Sequence, residues 1–290
     1  EDAGIASLSK ALSNSPERVR LRLALAQHHI RKGQPEQALG QLRMAFNANP
    51  PEWSTTSAYL RLLIEQGETN EAQEVRDVLL NEYSNEPGAR LLASVADAQL
   101  GNVEVARDRL EALTADEPQF QAPKVMLAML YNQSNQPDKA VATLVDAAKQ
   151  TPEVIHPLQQ AAQIYAQNHS VGEVEAWLRE IGKGNADLQK NADVLIALLK
   201  VRQGDLADAR EILVHWQNAE SVPVNRAKGL LLQAEAGIAA QSGDYKTARA
   251  KAAEAIALQP DNILFAMMPA AIARNEGRLE DALSALDGVQ

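Results

Sequence analysis

The sequence predicts an all-α solenoid, a row of stacked helix–turn–helix units with no single central core. Three observations carry this. A turn residue recurs at a fixed step: Gly33, Gly67 and Gly101 are each 34 residues apart, Asn135 and His169 fall next in phase, Gly204 follows a one-residue slip, and Gly277 lies 34 residues after Gly243. Five residues beyond each turn sits a small residue (Ala38, Ala72, Ala106, Ala140, Ala209, Ala248 and Ala282), with Val174 as the exception. Hydrophobic residues make up 46% and aromatics only 4%, so the apolar content is mostly Ala and Leu, which suits closely packed helices and fits sheets poorly. A fixed period of about 20–50 residues means stacked repeats, and such an array grows by adding units.

The elements follow in order. Units are expected to begin near residues 19, 53, 87, 121, 155, 190, 229 and 263, and residues 1–18 read as the second helix of an earlier unit, with Leu8, Ala11 and Pro16 in phase. The second helices open alike, as in GQPEQALGQL (33–42), GNVEVARDRL (101–110), NQPDKAVATL (135–144) and GRLEDALSAL (277–286). Ala38 and Leu42 share one helix face, as do Ala140 and Leu144. Glycine at the turn supplies positive φ without steric cost. Asn135 and His169 are expected to take the same left-handed conformation, for which their types are enriched. Ala positions let antiparallel helices approach, and a larger residue there overpacks. Pro16, Pro50, Pro87, Pro118, Pro152 and Pro260 fall near unit boundaries, where proline can start a helix but cannot continue one.

These residues resemble the tetratricopeptide repeat, a 34-residue helical hairpin with small residues at fixed places, a Tyr in the first helix and a Pro near the end. Gly33, Ala38, Leu42, Ala45 and Pro50 match in one unit; Leu127, Ala128, Tyr131, Ala140, Leu144, Ala147 and Pro152 match in another. The stretch 155–189 has Ala162 and Tyr165 and then departs. The family's first-helix Trp is absent and most units lack the Tyr. The resemblance implies a right-handed superhelical solenoid of about eight repeats spanning 1–290, expected to be a fragment of a longer chain. Two junctions break the rhythm. Near 181–189 the spacing gains one residue, with Val174 and Ile181 in place of small residues; near 218–225 it gains five, with Trp216 where a small residue is expected. An altered helix crossing is the expectation there; a hinge or docking notch is the alternative.

The formal net charge of −10 argues against general nucleic-acid binding, which needs a basic stripe. Residues 1–50 carry seven Lys/Arg against four Asp/Glu, and residues 51–120 five against fourteen. The mid-section therefore reads either as solvated helix faces or as an acidic surface that steers a basic partner. The absence of cysteine excludes disulfides, thiolate zinc sites and Cys nucleophiles. No stretch approaches 18 uninterrupted apolar residues, so no membrane span is expected. His28, His29, His156, His169 and His215 form no metal motif, and His29, at the family's Tyr position, is expected to pack. Gly182-Lys183-Gly184 lacks the further glycines and the Lys-Ser/Thr of a phosphate loop. No catalytic residue, metal or cofactor is expected.

What remains is a surface. The resemblance implies that first helices line a concave groove that binds a peptide segment or partner helix. By phase the groove would include Arg20, Leu23, Gln27 and Arg31, then Ser54, Ser57, Arg61 and Glu65, then Leu91, Val95, Val125 and Met129, then His156, Gln159 and Gln163, and further on Val194, Leu198, Gln233 and Met267. Its entrance is basic and polar, its middle apolar with an adaptable Met, and a Gln-rich zone follows. Leu23 and Gln27 stand where a chaperone-tail clamp would need Lys and Asn, which disfavours that kind of partner. The implied function is a non-enzymatic scaffold for a protein or peptide partner. The chain is similar to bacterial repeat lipoproteins of exopolysaccharide and PEP-CTERM sorting systems, which implies a periplasmic or outer-membrane-anchored setting over a cytoplasmic one. The alternatives are a recruiting arm of a larger enzyme and, less readily, a polysaccharide binder, although Tyr and Trp do not array on the expected groove.

Overall fold

A computed structural model describes residues 19–47, 52–216, 218–219 and 221–287. The expected helix over 1–18, with Pro16, lies outside the described residues, as does Pro50. The described chain is all-α, built from consecutive helix–turn–helix hairpins. It divides into two compact units, residues 1–135 and 136–290.

The first unit contains α1 (Val19–Arg31), α2 (Pro35–Phe46), α3 (Trp53–Gln66), α4 (Thr69–Glu82), α5 (Pro87–Gln99), α6 (Val103–Asp116) and α7 (Gln121–Gln133). Each helix packs on the next, and first helices also touch, α3 on α5 and α5 on α7. The hairpin turns are one motif repeated. Gly33, Gly67 and Gly101 have φ of 68°, 75° and 87°. At each, the glycine N–H donates three residues back and the following N–H donates five back, as with Gly67 to Ile64 (3.1 Å) and Glu68 to Leu63 (2.9 Å). This pattern satisfies the last carbonyls of the first helix and requires a left-handed residue. Asn135 supplies it at φ 57°. Beyond the turns, Ala38, Ala72 and Ala106 have no exposed surface, and the core continues through Leu42, Tyr59, Leu63, Leu79 and Ala93. Of the adjacent histidines, His28 is the buried one; His29 is half-buried, its Nδ1 hydrogen-bonded with Gln34 Oε1 at 2.9 Å.

The second unit contains α8 (Pro137–Gln150), α9 (Ile155–Tyr165), α10 (Val171–Gly182), α11 (Ala186–Gln203), α12 (Leu206–Val214), α13 (Val222–Gln241), α14 (Tyr245–Leu258), α15 (Ile263–Ala266), α16 (Met268–Asn275) and α17 (Leu279–Asp287). Gly204, Gly243 and Gly277 repeat the left-handed turn at 86°, 82° and 82°. His169 does not take it, contrary to expectation. Helix α9 ends early, its last amides bonding three residues back, Gln167 to Ile164 and Asn168 to Tyr165. The His169 ring then stacks on Tyr165 at 3.7 Å, and Tyr165 stacks on Trp177 at 4.7 Å. Ser170 opens α10 with a capping box, donating its N–H to Glu173 Oε2 at 2.8 Å.

The residues added at the irregular junctions lengthen helices. Asn185 Oδ1 accepts from the amides of Asp187 and Leu188, both at 3.0 Å, so α11 starts at Ala186 and runs 18 residues. Pro223 sits in the first turn of α13, which runs 20 residues. Its partner α12 has only 9. Two glycines permit close approach here: a Cβ on Gly182 would lie 2.9 Å from the Gln189 Cα, and one on Gly229 would lie 2.4 Å from the Phe265 ring. The last first helix is broken into α15 and α16 at Met267, with Pro269 in the first turn of α16, where proline has no N–H to continue the ladder.

Candidate functional site

Three consecutive first helices of the second unit, α9, α11 and α13, pack side by side and enclose a cavity of about 520 Å³, within the range of about 300–1,000 Å³ typical of ligand sites. Helical spacing explains which side chains reach it. Ile155 and Gln159 lie four apart on α9; Val194, Leu198, Val201 and Arg202 form one face of α11; Val222, Arg226, Leu230 and Gln233 form one face of α13, with Pro223 and Ala234 beside them. The extra length of α11 and α13 extends this wall. Val194 is buried at the floor, while Leu198, Val201 and Leu230 are half-buried and Val222 is exposed.

The lining has no acidic side chain. Among the described residues, neither Arg202 nor Arg226 makes an ion pair or hydrogen bond. Most cations elsewhere in the unit are paired: Arg179 and Lys200 with Glu175 (2.5 and 3.0 Å), Arg249 with Glu276 (2.6 Å), and Arg210 and Lys251 with Glu235. The cavity is thus apolar with two amides and two uncommitted guanidinium groups.

Of the residues expected to line a groove, the cavity collects Gln159 together with Val194, Leu198 and Gln233. Gln163 is exposed one turn beyond Gln159 and outside the lining. Arg20, Gln27, Arg61 and Met129 are exposed in the first unit, and Leu91, Val95 and Val125 are half-buried there. Arg202, Arg226 and Leu230 were missed. Continuing the four-residue step from Leu198 points to Arg202. Arg226 was hidden because the expected unit start near 229 falls seven residues after the Val222 at which α13 begins.

A second, shallower hollow of about 590 Å³ opens where α12 is short, beside Val214, Leu232 and Leu258. Its charged rim is internally paired, through Arg210–Glu235, Lys251–Glu235 and Lys251–Glu254.

In the first unit the charged side chains tie helices together. Arg43 Nε donates to Tyr59 Oη (3.1 Å) and to Glu71 Oε1 (2.8 Å), its Nη2 donates to Glu71 Oε2 (2.5 Å), and the Tyr59 hydroxyl also donates to Glu71. The Arg43 hydrogen bonds hold the Glu71 carboxyl below the ordinary carboxylate range. Burial, then a 2.7 Å bond to Glu111, push the Tyr131 phenol up to about 12. Asp97, fully buried, meets both Arg76 and Arg109. Part of the acidic charge of residues 51–120, including Glu71, Asp97 and Glu111, is therefore engaged internally. Among the described residues no His/Cys/Asp/Glu group could hold a metal ion, and no helix is long and apolar enough to cross a membrane.

A tetratricopeptide repeat family model matches residues 1–60 and 97–164, which supports that family for these stretches. No curated protein matches the chain. Among solved structures, the chain is similar to the type IV pilus biogenesis factor PilW, with 20% identity over 64% of this chain and 87% of that one at a TM-score of 0.49. It is similar to MamA, from its residue 41 to the end, of Desulfovibrio magneticus RS-1, with 19% identity over 60% and 96% at 0.46. It is also similar to YrrB, a tetratricopeptide repeat protein with an unusual peptide-binding site, with 16% identity over 55% and 82% at 0.46. Helical hairpins of this family imply a protein–protein interaction scaffold.

Proposed function

We propose that this chain is a non-catalytic scaffold that holds a segment of a partner protein in the groove formed by α9, α11 and α13. One observation carries the reading: three consecutive first helices leave an apolar, solvent-open cavity in which only a few polar groups converge. Apolar walls with sparse polar groups are the usual makeup of a binding cleft. Apolar surface of this kind gains by being covered, at about 25 cal/mol per Å². Nearby amides of Gln159 and Gln233 can pair with the backbone of a bound segment. The proposal places the scaffold in a bacterial envelope exopolysaccharide or protein-export system, on the family resemblance alone.

The test is site-specific photo-crosslinking in source cells, with the crosslinker at Leu198 or Gln233 in the groove and at Glu254 on a second helix as control. A protein adduct from the groove positions and none from Glu254 is the expected result. Equal labelling at all three, or none in the groove, would sink the groove as the binding site. An envelope protein in the adduct supports the envelope setting; a soluble enzyme fused to or copurifying with the chain would instead favour a recruiting arm.

A further inference from the structure

Resting on the groove reading above, we infer that the bound segment is acidic as well as apolar, with carboxylates placed to meet Arg202 and Arg226. The chain is acidic overall, with 38 Asp and Glu against 28 Lys and Arg, so a guanidinium finds an internal carboxylate easily. Several cations of the second unit do so on Glu175, Glu235 or Glu276, among them Arg179, Lys200, Arg210, Arg249 and Lys251. Yet the two arginines that border the largely apolar groove of α9, α11 and α13 have no carboxylate among the described residues. Arg202 stands one turn beyond Leu198 on α11, and Arg226 one turn before Leu230 on α13, so each helix brings a cation and an apolar residue one turn apart into the same space.

Charge complementarity selects partners by excluding wrong ones. A basic segment would bring like charge to both arginines. A neutral apolar segment would bind but leave the guanidinium groups to water. An apolar segment with interspersed Glu or Asp satisfies both features, and guanidinium geometry favours a two-point hold on a carboxylate. Because both arginines are exposed, the gain per contact is modest and sensitive to salt.

The experiment uses the whole chain and a set of synthetic peptides on one apolar scaffold, in extended and helix-forming versions, carrying Glu, Gln or Lys at the polar positions. Binding is read by fluorescence anisotropy at low and high salt. The Glu peptides are expected to bind roughly tenfold more tightly than the Gln peptides at low salt, with the gap closing at high salt. The double variant Arg202→Gln/Arg226→Gln should erase the preference, and Arg202→Glu/Arg226→Glu should turn it toward the Lys peptides. Leu198→Glu should abolish binding of every class; should it fail to fold by circular dichroism, Gln159→Trp blocks the groove from a half-buried position. Glu and Gln peptides binding alike, or a preference untouched by the arginine variants, while the blocking variant still abolishes binding, would overturn the acidic partner and leave the groove standing. Binding untouched by the blocking variant, or no binding of any class, would overturn both. Self-association lost on blocking would put a second copy of this chain in the groove and overturn the acidic segment.

Discussion

In residues 1–135 the first helices run 13 or 14 residues and polar cross-ties link neighbouring helices: Arg43–Tyr59–Glu71, Arg76–Asp97–Arg109, Arg90–Asp116 and Tyr131–Glu111. In residues 136–290 they run from 11 to 20 residues before the broken last one, and ties such as Lys200–Glu175, Arg210–Glu235 and Arg249–Glu276 are joined by an aromatic stack and two glycine contacts. Strict periodicity keeps neighbouring helix faces in constant register, so a side chain on one helix finds its partner on the next. Where insertions change helix length, a long helix such as α13 overruns its short partner α12, and cavities appear along the unmatched faces. Regular helices match along their length; irregular ones leave open space between them.

The largest expected effect breaks a cross-tie. Asp97→Ala removes the buried partner of Arg76, which is itself only 15% exposed but keeps Asp77 at 2.7 Å. The change should destabilise the first unit by about 3 kcal/mol, the lower end for a broken buried pair. Arg109, 39% exposed, returns to water and adds little. Single-Trp variants separate the units, since Trp53 lies in the first and Trp177 and Trp216 in the second. Urea unfolding should shift for Trp53 fluorescence and stay put for the others; equal shifts would show that the cross-tie is not local to its unit.

Next comes close approach in the second unit. Gly229→Ala should cost about 1–3 kcal/mol by overpacking, because the new methyl meets the Phe265 ring, with partial recovery in the double variant Gly229→Ala/Phe265→Leu. Ala140→Leu should cost about the same, since Ala140 has no exposed surface. Urea midpoints equal to that of the parent would refute both packing arguments.

A smaller effect is pH-dependent. Glu71 has a lowered pKa in the folded protein, chiefly through Arg43. Its stabilising contribution is thus complete above the unfolded value of about 4.3 and fades as pH falls through the folded value. Glu71→Gln should therefore be less stable than the parent at neutral pH by about 1 kcal/mol, and the gap should narrow in acid. A gap that widens below pH 4 would show that Glu71 is not held ionised by Arg43.

Much of the fold was legible because one physical demand repeats. A left-handed residue at the turn and a small residue five places on leave marks at Gly33 and Ala38, Gly67 and Ala72, Gly101 and Ala106, and the structure uses each in that way. Asn135 shows the turn tolerating a second residue type. His169 shows where residue type misleads, since ring stacking and a 2.8 Å contact between its Nδ1 and the Tyr165 carbonyl replace the left-handed turn. The cross-ties were not legible. Asp97 stands at the same phase as Tyr131 and His29, and nothing in its neighbours along the chain reveals Arg76 and Arg109 from flanking helices. The candidate groove was half legible: Gln159, Leu198 and Gln233 follow from phase, while Arg226 required knowing that the insertion near 218–225 lengthens α13.

The smallest expected effect has the opposite sign and sits on the same helix as Gly229. Gly237 lies eight residues further along α13, exposed, with nothing within 4 Å of where its Cβ would be. Alanine there should stabilise by about 0.5–1 kcal/mol, since glycine inside a helix loses more backbone freedom on folding than alanine does. The two positions share backbone conformation and helix, so the difference between them isolates the Phe265 contact from helix propensity. If Gly229→Ala and Gly237→Ala shift the Trp177 and Trp216 transitions in the same direction, propensity dominates, and close approach is not what glycine provides in this unit. If they shift in opposite directions, the irregular helices are held by local fit, and further variation in their length can reshape the groove without disturbing the cross-tied first unit.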